Sequence, residues 1–260
     1  MPVPRPTDAR HIDDVIPQLR EALLKHSSAV LQAPPGAGKT TRVPLALLDL
    51  LPQKSGRIIM LEPRRLAAVS AARWMSSLIG EKTGDTIGYS IRFDSRISAA
   101  TRIEVVTEGI LTRRIQTDPG LEGVAMVIFD EFHERSLHAD LALALCLDVQ
   151  KNLRQDLRIL VMSATLDGGP ISSVLGGAPV ISSGGRTFHV EERYLDDRRD
   201  IVLSARVAEA AKIALNEHEG DILVFLPGAG EIRACAERIS QFTQLRERGV
   251  TLHPLYADLP

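Results

Sequence analysis

Aromatic residues make up only 4% of this 260-residue chain, and cysteine occurs only twice. So few rings argue against a protein that holds flipped-out RNA bases on a stacking platform. The cysteines, Cys146 and Cys235, lie far apart in apolar segments of helical character, which indicates buried thiols with no disulfide partner. We therefore expect a reducing, cytoplasmic location.

The chain also lacks a long hydrophobic run and a strong net charge. Its longest apolar stretch, LALALCLDV, is far too short to span a bilayer, so we expect no membrane partner. The formal net charge is -2 at pH 7. Bulk charge therefore gives no indication of nucleic-acid binding, and any binding groove must be a local feature. The sequence leaves the oligomeric state open.

Short apolar runs alternate with segments of helical period along the first two thirds of the chain. The runs do not alternate polar with apolar residues, which indicates strands buried on both faces, as in a parallel sheet. They cover 29–33, 57–62, 103–106, 124–130 and 158–163. Helices are predicted between them over 39–51, 65–79, 109–116 and 139–152. This alternation predicts an α/β fold with a doubly wound parallel sheet.

The composition changes at GGAPVISSGGRT (176–187), a candidate linker. We therefore place a first domain at 1–182 and the start of a second domain at 183–260. In the second part, a helix over 201–217 precedes an apolar run, DILVFLP (221–227), that we predict to be a strand. Only about 75 residues follow the linker, roughly half an ordinary domain, so we expect the second domain to be incomplete.

The stretch APPGAGKT (33–40) follows the first predicted strand and opens the first predicted helix. It nearly matches the phosphate-binding pattern G-x-x-x-x-G-K-[ST], with alanine where the first glycine stands. In such a loop the glycines let the backbone N–H groups approach an anion, and the helix N-terminus favours negative charge. We predict that Lys39 reaches the outer phosphates of a nucleotide and that the Thr40 hydroxyl ligates Mg²⁺. A plain strand–turn–helix is the alternative. The predicted nucleotide-binding residues here are Ala33, Pro34, Pro35, Gly36, Ala37, Gly38, Lys39, Thr40 and Thr41.

A second polar cluster, DEFHERS (130–136), follows the predicted strand over 124–130. Carboxylates at the carboxyl end of a parallel strand face the ligand crevice, so we expect Asp130 to hold Mg²⁺ and Glu131 to orient or deprotonate an attacking water. A zinc site is the alternative. However, His133 and His138 are five residues apart, which turns the second ring about 140° around a helix from the first. The two clusters together predict a Mg²⁺–ATP site.

At these residues the chain resembles the superfamily 2 helicases of the DEAH/DExH group, and the resemblance runs along nearly its whole length. APPGAGKT resembles motif I, where alanine is common at the first position in that superfamily, and DEFHERS resembles motif II. Four further stretches resemble motif Ia (LEPRRLAA, 61–68), motif Ib (TEGILTRR, 107–114), motif III (SAT, 163–165) and motif IV (LVFLPGAGEI, 223–232). The resemblance implies a RecA-like domain with a P-loop, followed by an incomplete second RecA-like domain.

The resemblance also implies roles that the local pattern leaves open. It implies catalysis by Lys39, Glu131 and His133, with His133 sensing the terminal phosphate. Coupling of hydrolysis to strand movement is implied for Ser163 and Thr165. The implied nucleic-acid track is lined by Arg64, Arg65, Thr107, Glu108 and Gly109. Without that context, the arginines would be exposed charges at a helix start, and Thr107 an ordinary N-cap.

The implied activity is ATP hydrolysis that moves the protein along single-stranded RNA or DNA. A non-unwinding ATP-driven clamp or remodelling scaffold is the alternative, and ATP binding without a response to nucleic acid would favour it. Trp74 stands where related proteins carry an arginine that stacks on adenine, so it is either a stacking residue or a core residue. The family's arginine fingers would lie beyond Pro260, and we expect weak hydrolysis by this chain alone.

Overall fold

The computed structural model describes residues 12–51, 56–164, 168–184, 190–195 and 201–256. The chain divides into two compact units, Met1–Phe188 and His189–Pro260. The domain ranges 1–182 and 183–260 stay a prediction, because compactness alone does not show which part folds independently. Within the described ranges, no helix combines the length and the hydrophobicity needed to cross a bilayer.

The first unit is built on one sheet. Its strands in the described residues are β1 (Ser28–Gln32), β2 (Arg57–Leu61), β3 (Ile87–Ile91), β4 (Asp94–Arg96), β5 (Ile103–Val106), β6 (Val124–Phe129), β7 (Arg158–Ser163) and β8 (Val180–Ser182). The order across the sheet is β4-β3-β5-β2-β6-β7-β1-β8. All neighbours pair in parallel except β3 and β4, which form an antiparallel hairpin. The predicted α/β fold with a parallel sheet is confirmed.

Helices connect these strands and form the described part of the second unit. In the first unit they are α1 (Ile12–Lys25), α2 (Lys39–Leu47), α3 (Arg65–Leu78), α4 (Glu108–Thr117), α5 (Leu137–Asn152) and α6 (Gly169–Val174). Two 3₁₀ turns cover Leu48–Leu50 and Phe132–Glu134. In the second unit they are α7 (Leu203–Glu217), α8 (Ala229–Ile239) and α9 (Thr243–Glu247), and α7 and α8 enclose a small core around Cys235.

Successive residues of each central strand enter two different cores. Ala29 and Leu31 of β1 pack with α1, α2 and α3, whereas Val30 packs on the opposite face with α4 and α5. Strand residues point alternately to the two faces of a sheet, so a strand covered on both faces must be apolar throughout. This is why the sequence shows unbroken apolar runs, and it leaves polar residues to collect at the strand ends.

The structure corrects the sequence-based description of several segments, and one of them is β8 (Val180–Ser182), which lies inside the candidate linker 176–187. Residues 221–227, predicted to form a strand, are not in a strand, because the described residues of the second unit supply no partner for its ladder hydrogen bonds. The β3–β4 hairpin was missed because β4 is only three exposed residues long. Its close approach requires glycine at Gly88, where a Cβ would lie 2.2 Å from the carbonyl oxygen of Arg96.

A buried carboxylate on β5 ties four elements together. Glu104 is fully buried, and its oxygens accept hydrogen bonds from Arg114 on α4 (2.6 and 2.9 Å), Ser90 on β3 (2.7 Å) and Arg57 on β2 (3.0 Å). Burial by itself would raise the pKa of Glu104, but these donors outweigh it and hold the pKa below its usual value. The network fixes α4, and with it the segment that begins at Thr107, against the sheet.

We expect Glu104→Ala to lower the free energy of unfolding by about 3 kcal/mol, because Arg57 and Arg114 lose their buried partner. The contribution of Glu104 is present above its unfolded pKa and is lost as the pH falls through its lower folded pKa. The difference between wild type and variant should therefore narrow between about pH 7 and about pH 3 in urea unfolding. Glu21→Ala, which removes an exposed pair with Lys25, is the control. Equal losses of unfolding free energy in the two variants would contradict the stabilising role assigned to the Glu104 network.

Candidate nucleotide site and nucleic-acid interface

The loop between β1 and α2 takes its shape from two glycines. Gly36 and Gly38 have φ angles of +75° and +91°, in the left-handed region that residues with a Cβ rarely adopt. Gly38 is the N-cap of α2, whose first N–H groups have no partner within the helix and carry the positive end of its dipole. The loop therefore has the backbone conformation and polarity of an anion-binding site.

Lys39 bridges the two ends of this loop. Its side chain is buried, and Nζ donates to the carbonyl oxygens of Ala33 (2.6 Å) and Pro34 (3.1 Å). A buried ammonium group requires such acceptors, because burial without them would be costly. The other predicted residues of the loop and first turn are held by backbone bonds, from Ala37 N–H to Pro34 and from Thr41 N–H to Gly38.

Asp130 follows β6 and is also buried. Its Oδ1 accepts a hydrogen bond from the backbone N–H of Glu131 (2.8 Å), and the Thr40 side chain lies near enough to the carboxyl group to lower its pKa. Burial raises the pKa of Asp130 to about 6, although the nearby Thr40 side chain, the Glu131 N–H hydrogen bond and the Lys39 charge each lower it. The structure thus brings together the two residues that the sequence assigns to Mg²⁺.

The residues present fit a magnesium ion. Oδ2 of Asp130 is buried without a hydrogen-bond partner, a condition that a bound cation would relieve. Together with the Thr40 hydroxyl it supplies oxygen ligands, the type that Mg²⁺ prefers. The zinc alternative finds no support, since the described residues contain no group of three or more His, Cys, Asp or Glu side chains arranged to hold a metal. His138 is exposed on α5.

Glu131 and His133 lie between the ends of β6 and β7. Glu131 has a φ of +48°, a conformation that costs free energy in a residue other than glycine and is common at functional sites. The Nδ1 atom of His133 is 3.3 Å from Oε2 of Glu131 and 3.3 Å from the backbone N–H of Ala164. That nitrogen can accept from Ala164 N–H or, in the tautomer that carries its hydrogen there, donate to Glu131.

The sheet gathers the predicted residues at one edge, because each group follows the carboxyl end of a parallel strand. Ser163 is buried at the end of β7, and its carbonyl oxygen accepts from the N–H of Ala33 (3.1 Å). Thr165 lies outside the described residues. Trp74, on α3, is 59% exposed, so a core position is wrong and its indole is at the surface.

One carboxylate of this edge escaped the sequence-based prediction. Glu62 follows β2 as Asp130 follows the neighbouring β6, and the N–H of Asp130 donates to Leu61 (3.0 Å). Burial, and then the negative charges of Asp130, Glu131 and Glu134, raise the pKa of Glu62 to about 8. The rule that pointed to Asp130, a carboxylate just after a buried strand, would have found Glu62 too.

Four of the five predicted nucleic-acid residues, all except Arg64, line a second depression at the same edge. A cavity of about 360 Å³ is bordered by Pro63, Arg65, Arg92, Thr107, Glu108, Gly109, Ile110 and Arg113. Its three guanidinium groups and the N-terminus of α4 make the cavity suitable for phosphate. The sequence-based prediction missed Arg92, in the unexpected hairpin, and Arg113, although Arg113 lies four residues after Gly109 and hence on the same helix face.

Two predicted residues contact motif II instead of standing free. Arg64, the N-cap of α3, donates from Nη2 to Oε1 of Glu134 (2.9 Å). Oε1 of Glu108 accepts from the hydroxyl of Ser136 (2.6 Å), and that hydroxyl also caps α5 by accepting from Ala139 N–H. The carboxylate of Glu108 is therefore bonded to motif II.

Comparison with known proteins agrees with this geometry. A family model described as "DEAD/DEAH box helicase" matches residues 14–173, more than half of the chain. ATP-dependent RNA helicase HrpB of Escherichia coli is 50% identical over 245 residues, which cover 94% of this chain and 30% of that protein. Probable ATP-dependent RNA helicase DHR2 of Saccharomyces cerevisiae is 36% identical over 239 residues, which cover 89% and 32%.

Solved structures give the same result. A crystal structure of E. coli DEAH/RHA helicase HrpB superposes with a TM-score of 0.84 at 50% identity, over 90% of this chain and 30% of that one. A second, of E. coli DExH-box NTPase HrpB, gives 0.77 at 49% identity, over 91% and 29%. The chain belongs to the DEAD/DEAH box helicase family, which confirms the resemblance. It spans about a third of the length of the curated relatives it matches.

We expect Glu62→Gln to stabilise the first unit at high pH. The pKa of Glu62 is raised from 4.5 to about 8, so ionisation opposes folding, and the penalty grows as the pH rises through that window. The gain should be on the order of 2 kcal/mol at about pH 8 and should shrink toward about pH 5 in denaturant unfolding. Glu122→Gln, at an exposed carboxylate, is the control. A gain independent of pH would rule out ionisation of Glu62 as its cause.

Proposed function

We propose that the chain is the ATP-binding part of an ATP-dependent RNA helicase, an enzyme that couples ATP hydrolysis to movement along single-stranded nucleic acid. The observation that carries the proposal is the buried, unpartnered Oδ2 of Asp130 beside Thr40. It lies at the same sheet edge as the cavity bordered by three arginines. RNA is the preferred strand because relatives from E. coli and yeast are named RNA helicases.

The loop 33–41 would hold the phosphates of ATP. Lys39 would exchange the carbonyl oxygens of Ala33 and Pro34 for phosphate oxygens, and the N–H groups at the start of α2 would donate to the same anion. Thr40 and Asp130 would hold Mg²⁺, which when bound neutralises phosphate charge and polarises the transferred group. Glu131, partly exposed at the rim of this site, would orient the attacking water and accept its proton.

Coupling residues would transmit the state of this site to the nucleic acid. His133 is the proposed sensor, and its contact with the N–H of Ala164 supports a link between the ends of β6 and β7. Ser163 and Thr165 would continue that link along motif III. The ranges 1–182 and 183–260 would be the first RecA-like domain and the start of the second, in agreement with the resemblance of 223–232 to motif IV.

The nucleic-acid track would run along the cavity between α3, α4 and the β3–β4 hairpin. Arg65, Arg92 and Arg113 would bind phosphates, and Thr107 and Gly109 would contact the backbone through the start of α4. Glu108 does not oppose this, because its carboxylate is bonded to Ser136. Contacts with sugar and phosphate carry no sequence information, as a protein that moves along any strand requires.

We expect Lys39→Ala to weaken binding of a fluorescent ATP analogue with Mg²⁺ by about 10- to 100-fold, because a charge-assisted hydrogen bond contributes about 1.5–3 kcal/mol. Lys151→Ala, at an exposed lysine near the end of α5, is the matched control. Circular dichroism checks that Lys39→Ala remains folded. Unchanged nucleotide binding by a folded Lys39→Ala would overturn the assignment of the loop.

Arg113→Ala should weaken binding of labelled oligouridylate, measured by anisotropy over a salt series. We expect the slope of log Kd against log salt to decrease by the amount that one phosphate contact contributes. The decrease should be equal for oligouridylate and for mixed sequences. Lys151→Ala should leave the slope unchanged, and an oligodeoxythymidylate of equal length tests the preference for RNA. Nucleotide binding without any strand binding would favour the clamp or scaffold instead.

A further inference from the structure

The ion pair between Arg64 and Glu134 joins the two ligand sites. Arg64 belongs to the nucleic-acid residues predicted from the sequence, yet its guanidinium is bonded to a carboxylate of motif II. The side chains are 72% and 36% exposed. An exposed pair of this kind contributes little to stability, so a stronger partner can displace the carboxylate. A nucleic-acid phosphate is such a partner, because it can accept two parallel hydrogen bonds from a guanidinium group.

The position of Glu134 is fixed by the motif II turn. Glu134 ends the 3₁₀ turn Phe132–Glu134, and its N–H donates to the carbonyl oxygen of Glu131 (2.9 Å). Phe132 anchors the turn, since its ring is buried edge-on against Phe129 with centroids 6.1 Å apart. The backbone of Glu134 is therefore fixed one turn after Glu131, the proposed catalytic carboxylate.

The charges of Arg64 and Glu134 also affect Glu62, on the side of the edge where Mg²⁺ would bind. The pKa of Glu62 is raised by the charges of Asp130, Glu131 and Glu134 and lowered by that of Arg64. These side chains thus share one electrostatic environment. If Arg64 leaves Glu134 for a phosphate, the carboxylates lose a neutralising cation, and the edge becomes more attractive to a divalent cation.

We propose that Glu134 competes with nucleic-acid phosphate for Arg64, so that strand binding exchanges the Arg64–Glu134 pair for an Arg64–phosphate pair. The inference rests on the proposed function, because it requires that the arginine edge binds a strand. It assigns Glu134 as a positioning residue that acts through Arg64. Motif II would then adjust strand affinity at one end and hold the water-orienting carboxylate at the other.

A double-mutant cycle tests the competition. The dissociation constant of labelled oligouridylate is measured by anisotropy for the wild-type chain, Glu134→Gln, Arg64→Ala and the double variant. Glu134→Gln should tighten binding by about two- to five-fold, the range expected for releasing one exposed ion pair. The gain should vanish in the Arg64→Ala background. Thermal unfolding checks that each variant is folded.

Asp140→Asn is the matched control. Asp140 pairs with Arg135 at 2.9 Å, with side chains 38% and 64% exposed, so the variant removes the same charge from a similar pair beside motif II. It should tighten binding clearly less than Glu134→Gln does. Equal effects of the two variants, or a Glu134→Gln gain that persists without Arg64, would overturn the competition while leaving the proposed function in place. Absence of RNA binding by the wild-type chain would overturn both.

Discussion

Burial of charge at the carboxyl edge of the sheet is the constraint on which the rest of this structure depends. Lys39, Asp130 and Glu62 are each almost inaccessible to water, where an isolated charge is strongly disfavoured. The ammonium group of Lys39 donates hydrogen bonds to loop carbonyl oxygens. The carboxylate of Asp130 has a hydrogen-bond partner on only one of its oxygens. The pKa of Glu62 is raised, which favours its neutral form. An edge with such incompletely satisfied charges is chemically suited to a ligand that brings both anionic oxygens and a cation.

The rest of the first unit keeps this edge in place. Parallel strands with apolar residues on both faces fix the strand ends in a row, and the two cores prevent them from sliding. The arginine network around Glu104 holds α4 in place against the sheet. A site made of partly unsatisfied groups destabilises its own fold, and the surrounding packing offsets that cost.

Much of the fold could be predicted from the sequence, because strands that are buried on both faces of the sheet consist of unbroken apolar runs. Such runs are visible in the local sequence. The loop at 33–40 and the carboxylate at Asp130 could be proposed as site residues from the sequence, because each pattern consists of consecutive residues. Pairs formed across the fold were not found. Arg64 and Glu134 are 70 positions apart, and Arg92 reaches the cavity only through a hairpin whose second strand is too short to show a pattern. At 221–227, in contrast, a strand was predicted that the structure does not contain. An apolar run forms a strand only when a neighbouring strand is available to pair with it.

The order of the strands has a consequence for synthesis on the ribosome. β1, which the loop at 33–41 follows, precedes the other described strands along the chain, yet its sheet neighbours are β7 and β8, with Ser28 opposite Ile159 and Val30 opposite Val180. During synthesis, β1 must therefore remain without its sheet partners until β7 and β8 have emerged from the ribosome. The loop at 33–41 therefore reaches its final position in the sheet edge only after β7 has paired with β1.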